Sequence, residues 1–499
     1  MNIVQNHFRK IVTPVLLVLA IFYLQGCTVN PATGEQSFTA FMSPEREKEV
    51  GAQEHPKILK QFGGAYDNVE VGAYVAQIGG SLARFAELPD LQFTFTVLND
   101  EAVNAFALPG GYVYITRGLM AIAADEAELA GVLSHEIGHI TARHTAQRYS
   151  AAMATNIGLQ VLGVIGSVAG APTGSGSLAS LGAQMALQSY SREQELESDM
   201  LGVRYLSRAG YDPDAMTGFF HKLRAHHALS AAMAGKENTS EKFNILSTHP
   251  LTSERITETE RLAALADHNG RRRNETRYEK AIDGMTFGDD PSQGIRRGRV
   301  FSHPDLGIQF EVPKGFTMIN TPQKLIAHGP EDAAIIFDMA DPKKVSRSKD
   351  MRTYVDKVWV TKVALKDVES ININGMAAAT GTAQIKNSKG TFDVRPIAIR
   401  EGDDKVFRLL FLSKPDQTEA LSVPFRKSTY SFKRLTKDEA AAIQPLRIRF
   451  QTVKAGDTVE SLAAEMPIEN FGLEWFELLN GIKRGESLEP GSRVRTVEG

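Results

Sequence analysis

Along residues 125–148 apolar side chains recur at helical spacing, with Leu129, Val132, Leu133 and Ile140 in phase, no proline, and Asp125, Glu126 and Glu128 at the start, where acids suit a helix N-terminus. The pattern predicts one helix from Asp125 to about Arg148. A second helix is expected over 191–199, with Glu195 and Asp199 four apart on one face. Upstream, the alternating run 103–108 and the strand-like run 112–116 are separated by Pro109-Gly110-Gly111, which reads as a β-hairpin. Strand patterns at 308–312, 333–340 and 406–412 alternate with a helical pattern at 354–365, giving an α+β domain over 286–440. From 446 to 499 the order is strand, turn at Ala455-Gly456-Asp457, helix with Leu462 and Ala463 inside, a second helix ending at Asn480-Gly481, and a closing strand. The fold class is therefore α+β: a mainly helical domain with a small sheet over 28–280, an α+β domain, and a βααβ module.

Composition and charge change this picture at the margins. A length of 499 residues requires several domains, and a net charge of −3 argues against a nucleic-acid surface. Residues 1–27 read as an export signal: Arg9 and Lys10, an apolar run over 11–24, then Leu24-Gln25-Gly26-Cys27. Cys27 is the only cysteine, so no intrachain disulfide forms. From 149 to 191 no residue is charged, and the stretch is broken at 170–176 by glycine, proline and serine. Asn156, Gln160 and the glycines argue against a bilayer span, so a helical hairpin over a cleft is expected, either a lid or a packing element.

The chemistry lies in His135-Glu136-Ile137-Gly138-His139. On a helix, residues four apart share a face, so both imidazoles reach one ion while Glu136 is held beside it. Catalytic zinc takes three protein ligands and leaves a position for water, so a third ligand must come from elsewhere. Glu195 is the candidate, with Asp199 as an acceptor fixing the tautomer of a ligating histidine; Glu193 and Glu197 are its rivals. The expectation is one zinc ion per chain and Glu136 as general base.

Four ordered segments carry a family resemblance: Asn104-Ala105-Phe106-Ala107-Leu108-Pro109-Gly110-Gly111, His135 to His139, Ser191-Arg192 through Glu195 to Asp199, and Thr248-His249-Pro250-Leu251-Thr252. Over about 28–265 the chain resembles the gluzincin metalloendopeptidases that include the CAAX prenyl protease, HtpX and BepA. The resemblance implies zinc ligands His135, His139 and Glu195, and the base Glu136. It also implies an exposed edge strand at Asn104, Ala105, Phe106 and Ala107 that receives substrate as an added antiparallel strand. His249 is implied to occupy the metal's open position and hold the enzyme latent; a transition-state hydrogen bond and a structural role are the alternatives. Ser198 departs from the alanine frequent in the family.

Cys27 after Leu-Gln-Gly resembles a lipobox, which implies a lipid anchor, and Thr28 rather than aspartate implies the periplasmic face of the outer membrane of a Gram-negative bacterium. Residues 451–498 resemble a LysM module, which implies peptidoglycan binding. The runs 301–307 and 312–316 resemble Mog1/PsbP-like folds, from which no function follows. The combined expectation is a zinc metalloendopeptidase acting on unfolded or misassembled envelope proteins. A chaperone-like assembly scaffold and a peptidoglycan-peptide amidase are the alternatives.

Overall fold

The computed structural model describes residues 27–167, 189–234, 245–266, 271–345, 348 and 350–499. The signal expected before Cys27 and the break at 170–176 lie outside them. Cys27–Val29 (β1) and Gln36–Phe38 (β2) pair as an antiparallel strap ahead of the helix Pro44–Gln61 (α1), capped by the Ser43 side chain. Val69–Ala83 (α2) buries Val71, Val75, Ile78 and Leu82. Three strands follow, Thr94–Leu98 (β3), Ala105–Leu108 (β4) and Tyr112–Thr116 (β5), in the order β3-β5-β4. β4 and β5 form the expected hairpin, with Leu108 opposite Tyr112.

β4 lies at the edge of its sheet, but it is not exposed as expected: all four residues are buried. Its two faces enter different clusters, Ala105 and Ala107 in the main core, Phe106 and Leu108 against Ile58 and Phe62. The residues of β4 are all apolar, as suits a strand covered on both faces.

Arg117–Ile122 (α3) leads to Glu126–Thr141 (α4), whose N-cap Asp125 accepts from the Glu128 amide. The single helix expected over 125–148 is in fact two. It breaks at Ala142 and Arg143 and resumes as His144–Ser167 (α5). Arg143 takes φ 57°, the left-handed region that L-residues avoid. Its side chain donates to the Met42 carbonyl (2.7 Å), Thr28 Oγ1 (3.0 Å) and Glu47 (3.2 Å), tying the break to the N-terminal strap.

Arg192–Arg208 (α6) opens with a Ser191/Gln194 capping box and is followed by Asp214–Ala234 (α7), Ile245–Thr248 (α8), Ser253–Leu265 (α9) and Glu275–Ile282 (α10). α4 and α6 meet closely at glycine: a Cβ on Gly138 would lie 2.7 Å from Ser198 Oγ. That hydroxyl donates to the His135 carbonyl (2.5 Å), a bond alanine does not make. Among the described residues, no helix is long and apolar enough to cross a membrane.

Between Thr317 and Ser413 the chain builds a seven-stranded antiparallel sheet, joined by a four-stranded one, with a core of its own around Phe301, Phe310, Phe337, Phe407 and Phe432. The strands expected there form as Ile308–Glu311, Ala334–Met339 and Lys405–Ser413. The helix expected over 354–365 starts earlier and ends sooner: Met351–Thr353 runs straight into a wide helical turn, Tyr354–Trp359. Val360, Thr361 and Val363, just past its end, oppose continuation, since β-branched side chains are restricted at χ1 in a helix.

At the C-terminus, Leu446–Thr452, Val459–Glu465, Gly472–Asn480 and Arg493–Glu498 give the βααβ order. The first strand also pairs with Thr286–Phe287. Ile448, Leu462, Phe476 and Val497 belong to the same core as Val75 and Leu133. The sequence boundary near 446 is therefore not a boundary in packing.

Candidate metal centre

α4 projects His135 and His139 from successive turns, which places their Nε2 atoms 3.0 Å apart. Glu195 arrives from α6, with its carboxylate 3.5 Å from His135 Nε2 and 3.6 Å from His139 Nε2. His249, directly after α8, brings Nδ1 to 3.2 Å from His135 Nε2 and 3.0 Å from Glu195 Oε1. The four donor atoms lie within 4.8 Å of one another, and all four residues are buried. Two imidazoles and a carboxylate, with a third imidazole opposite, are a donor set that suits zinc.

Glu136 is fully buried, and neither carboxylate oxygen has a hydrogen-bond partner among the described residues. His249 Nε2 stands 3.5 Å from Oε1. Burial raises the Glu136 pKa, against the pull of His249 and His135. Burial acts on Glu195 in the same sense, but His249 and Arg255 overcome it and hold this carboxyl well below the usual range. Burial, then neighbouring His135, hold the His139 imidazole well below its usual pKa range.

Asp199 lies behind the centre, its Oδ1 2.9 Å from His135 Nδ1. Glu193 is exposed, and Glu197 points instead to Asn30 and His144. Of the three acids weighed as the third ligand, only Glu195 reaches the cluster. Asn104 is buried beside β4 with both side-chain polar atoms unpartnered among the described residues.

Three contributors escaped the sequence reading. Arg255, in the first turn of α9, grips Asp199 with two bonds of 2.7 Å, meets Glu195 at 2.6 Å and donates to the Pro250 carbonyl. A cation in a first helical turn opposes the helix dipole, which was the one available hint of a fixed partner. Tyr190 stacks on His139 with ring centroids 3.8 Å apart. His144 sits 2.8 Å from the far nitrogen of His139. Beside Glu136 and His249 lies a small apolar pocket walled by Val132, Met216, Phe219, Phe220, Leu223 and Leu246.

Residues 71–263 match Peptidase family M48. A Yersinia pestis protein named beta-barrel assembly-enhancing protease is 34% identical over 193 residues, 37% of this chain and 37% of its own length. The mitochondrial metalloendopeptidase OMA1 of Schizosaccharomyces pombe is 25% identical over 241 residues, 47% of this chain and 66% of its own. The chain thus spans little more than a third of the bacterial relative's length. Among solved structures, the Saccharomyces cerevisiae Ran-binding protein Mog1p aligns over 26% of this chain and 92% of its own at 14% identity, with a TM-score of 0.20, too low to carry an argument.

Proposed function

We propose, from the match of residues 71–263 to Peptidase family M48, that this chain is a zinc metalloendopeptidase. The observation that carries the reading is the convergence of His135, His139, Glu195 and His249 on one point beside the unpartnered carboxylate of Glu136. His135, His139 and Glu195 would hold the zinc, which when bound would supply Lewis acidity and an activated water. Glu136 takes the proton of the attacking water and delivers it to the leaving amine, a task suited to a carboxyl whose pKa burial has raised. Asp199 holds the orientation of His135, and Arg255 holds Glu195 and Asp199 together.

His249 supports a latent resting state. With it the protein offers four donors, the usual number for a closed zinc site. The Ile245 amide, at the start of the segment that carries His249, donates to the Val103 carbonyl (3.0 Å), beside the β4 edge. Withdrawing this segment frees the metal position and the strand edge together. A substrate strand added there lies along Asn104 to Ala107, with the unpartnered Asn104 amide available to it. The apolar pocket then receives an apolar side chain adjoining the scissile bond.

The substrates we infer are unfolded or misassembled envelope proteins, a reading supported by the name of the bacterial relative. Lipidated Cys27 would place the chain on the periplasmic face of the outer membrane, and residues 446–499 would bind peptidoglycan. The test is casein degradation by the zinc-loaded full chain without release of muropeptides from sacculi. Muropeptide release instead would favour the amidase, and neither activity the scaffold.

A further inference from the structure

The support behind His139 differs in kind from that behind His135. His135 has a carboxylate directly behind it, Asp199 at 2.9 Å. His139 has another imidazole: its Nδ1 is 2.8 Å from His144 Nδ1, and His144 Nε2 is 3.0 Å from Glu197 Oε2. The other Glu197 oxygen accepts from Asn30 Nδ2 at 2.7 Å. Asn30 is oriented in turn, because its Oδ1 accepts from the Ala32 amide. His144 and Asn30 are buried.

We propose that Asn30, Glu197 and His144 form a hydrogen-bonded chain that sets the tautomer of His139 and so frees its Nε2 for the metal. The direction follows from which groups can donate. A carboxylate only accepts, so His144 carries its proton on Nε2 and presents a bare Nδ1 to His139. His139 must therefore carry its proton on Nδ1, leaving the Nε2 lone pair directed at Glu195 and His135. The break at Arg143 makes this possible: on an unbroken helix residues five apart point about 140° away from each other. Glu197, a rival for the third ligand on sequence grounds, thus acts two bonds behind the metal. Asn30 places the last link in the N-terminal strap, three residues after Cys27.

The proposal rests on the zinc reading above. It is tested by zinc affinity from chelator competition and by the visible spectrum of the cobalt-substituted full chain. His144→Phe removes the acceptor and should weaken zinc binding about 10–100-fold and shift the cobalt bands. His144→Asn, whose Oδ1 takes the place of Nδ1, should restore both toward wild type. A Phe variant that binds like wild type overturns the proposal, as does an Asn variant that loses as much as Phe. Should His144→Phe not fold, Glu197→Ala and Asn30→Ala decide: weakened zinc and a shifted spectrum support the chain, and unchanged values overturn it. A wild-type chain that takes up no zinc would overturn the metalloendopeptidase reading itself.

Discussion

Glu136 and Glu195 are both buried at one centre, yet their surroundings push the two carboxyls in opposite directions. Arg255 and His249 make the difference: they bond to Glu195 at 2.6 and 3.0 Å, whereas Glu136 has no hydrogen-bond partner among the described residues and meets His249 only at 3.5 Å. Because His249 also supplies the fourth donor that closes the site, replacing it by alanine should raise proteolysis while zinc stays bound through three ligands. A fall of about a hundredfold would instead assign His249 a transition-state hydrogen bond. In the cavity beside Glu136, Val132→Phe should fill the space and shift cleavage toward small residues at one flanking position, read by mass spectrometry of digested casein. An unchanged profile would remove the cavity from substrate selection. The histidine pair and Glu195 were legible because four-residue helical spacing projects side chains together. Arg255, Tyr190 and His144 were not, since each reaches the centre through a chain reversal or a separate segment.

At the scale of elements, the break between α4 and α5 had no signal in sequence, for neither glycine nor proline marks it. It is held by tertiary bonds from Arg143 to Thr28 of the strap and to the Met42 carbonyl beyond it. Arg143→Ala loses those bonds and keeps the left-handed backbone strain, while Arg143→Gly loses only the bonds. The glycine variant should therefore be more stable than the alanine variant by about 1 kcal/mol in denaturant unfolding. Equal stability would mean that the backbone relaxes without cost. The hairpin was legible from its Pro-Gly-Gly turn, but its burial was not, because short apolar runs do not reveal what covers them. The β-branched residues after Trp359 outweighed the helical period that predicted a longer helix there.

Across the whole molecule, the C-terminal βααβ segment is packed into the body that holds the metal centre. Arg495 makes the junction: buried, it donates to the carbonyls of Ala121 (2.5 Å) and Ala124 (3.2 Å), just ahead of α4. Arg495→Ala strands the buried Ala121 carbonyl, at about 1–3 kcal/mol, and should lower the unfolding midpoint of the catalytic body even if residues 446–499 also bind glycan. An unchanged midpoint would make the segment a passive appendage. The βααβ order was legible from turn residues and periodicity; the shared core was not, because nothing in the local pattern says which apolar surface a module meets. The central claim is metal-dependent peptide hydrolysis with Glu136 as base. Its most direct test is the zinc content and casein turnover of the full chain beside Glu136→Gln and Glu195→Ala. The account predicts about one zinc per chain in wild type and Glu136→Gln, turnover reduced about 10²–10⁴-fold in Glu136→Gln, and loss of both metal and activity in Glu195→Ala. Near wild-type turnover in Glu136→Gln, or tight zinc in Glu195→Ala, would contradict it.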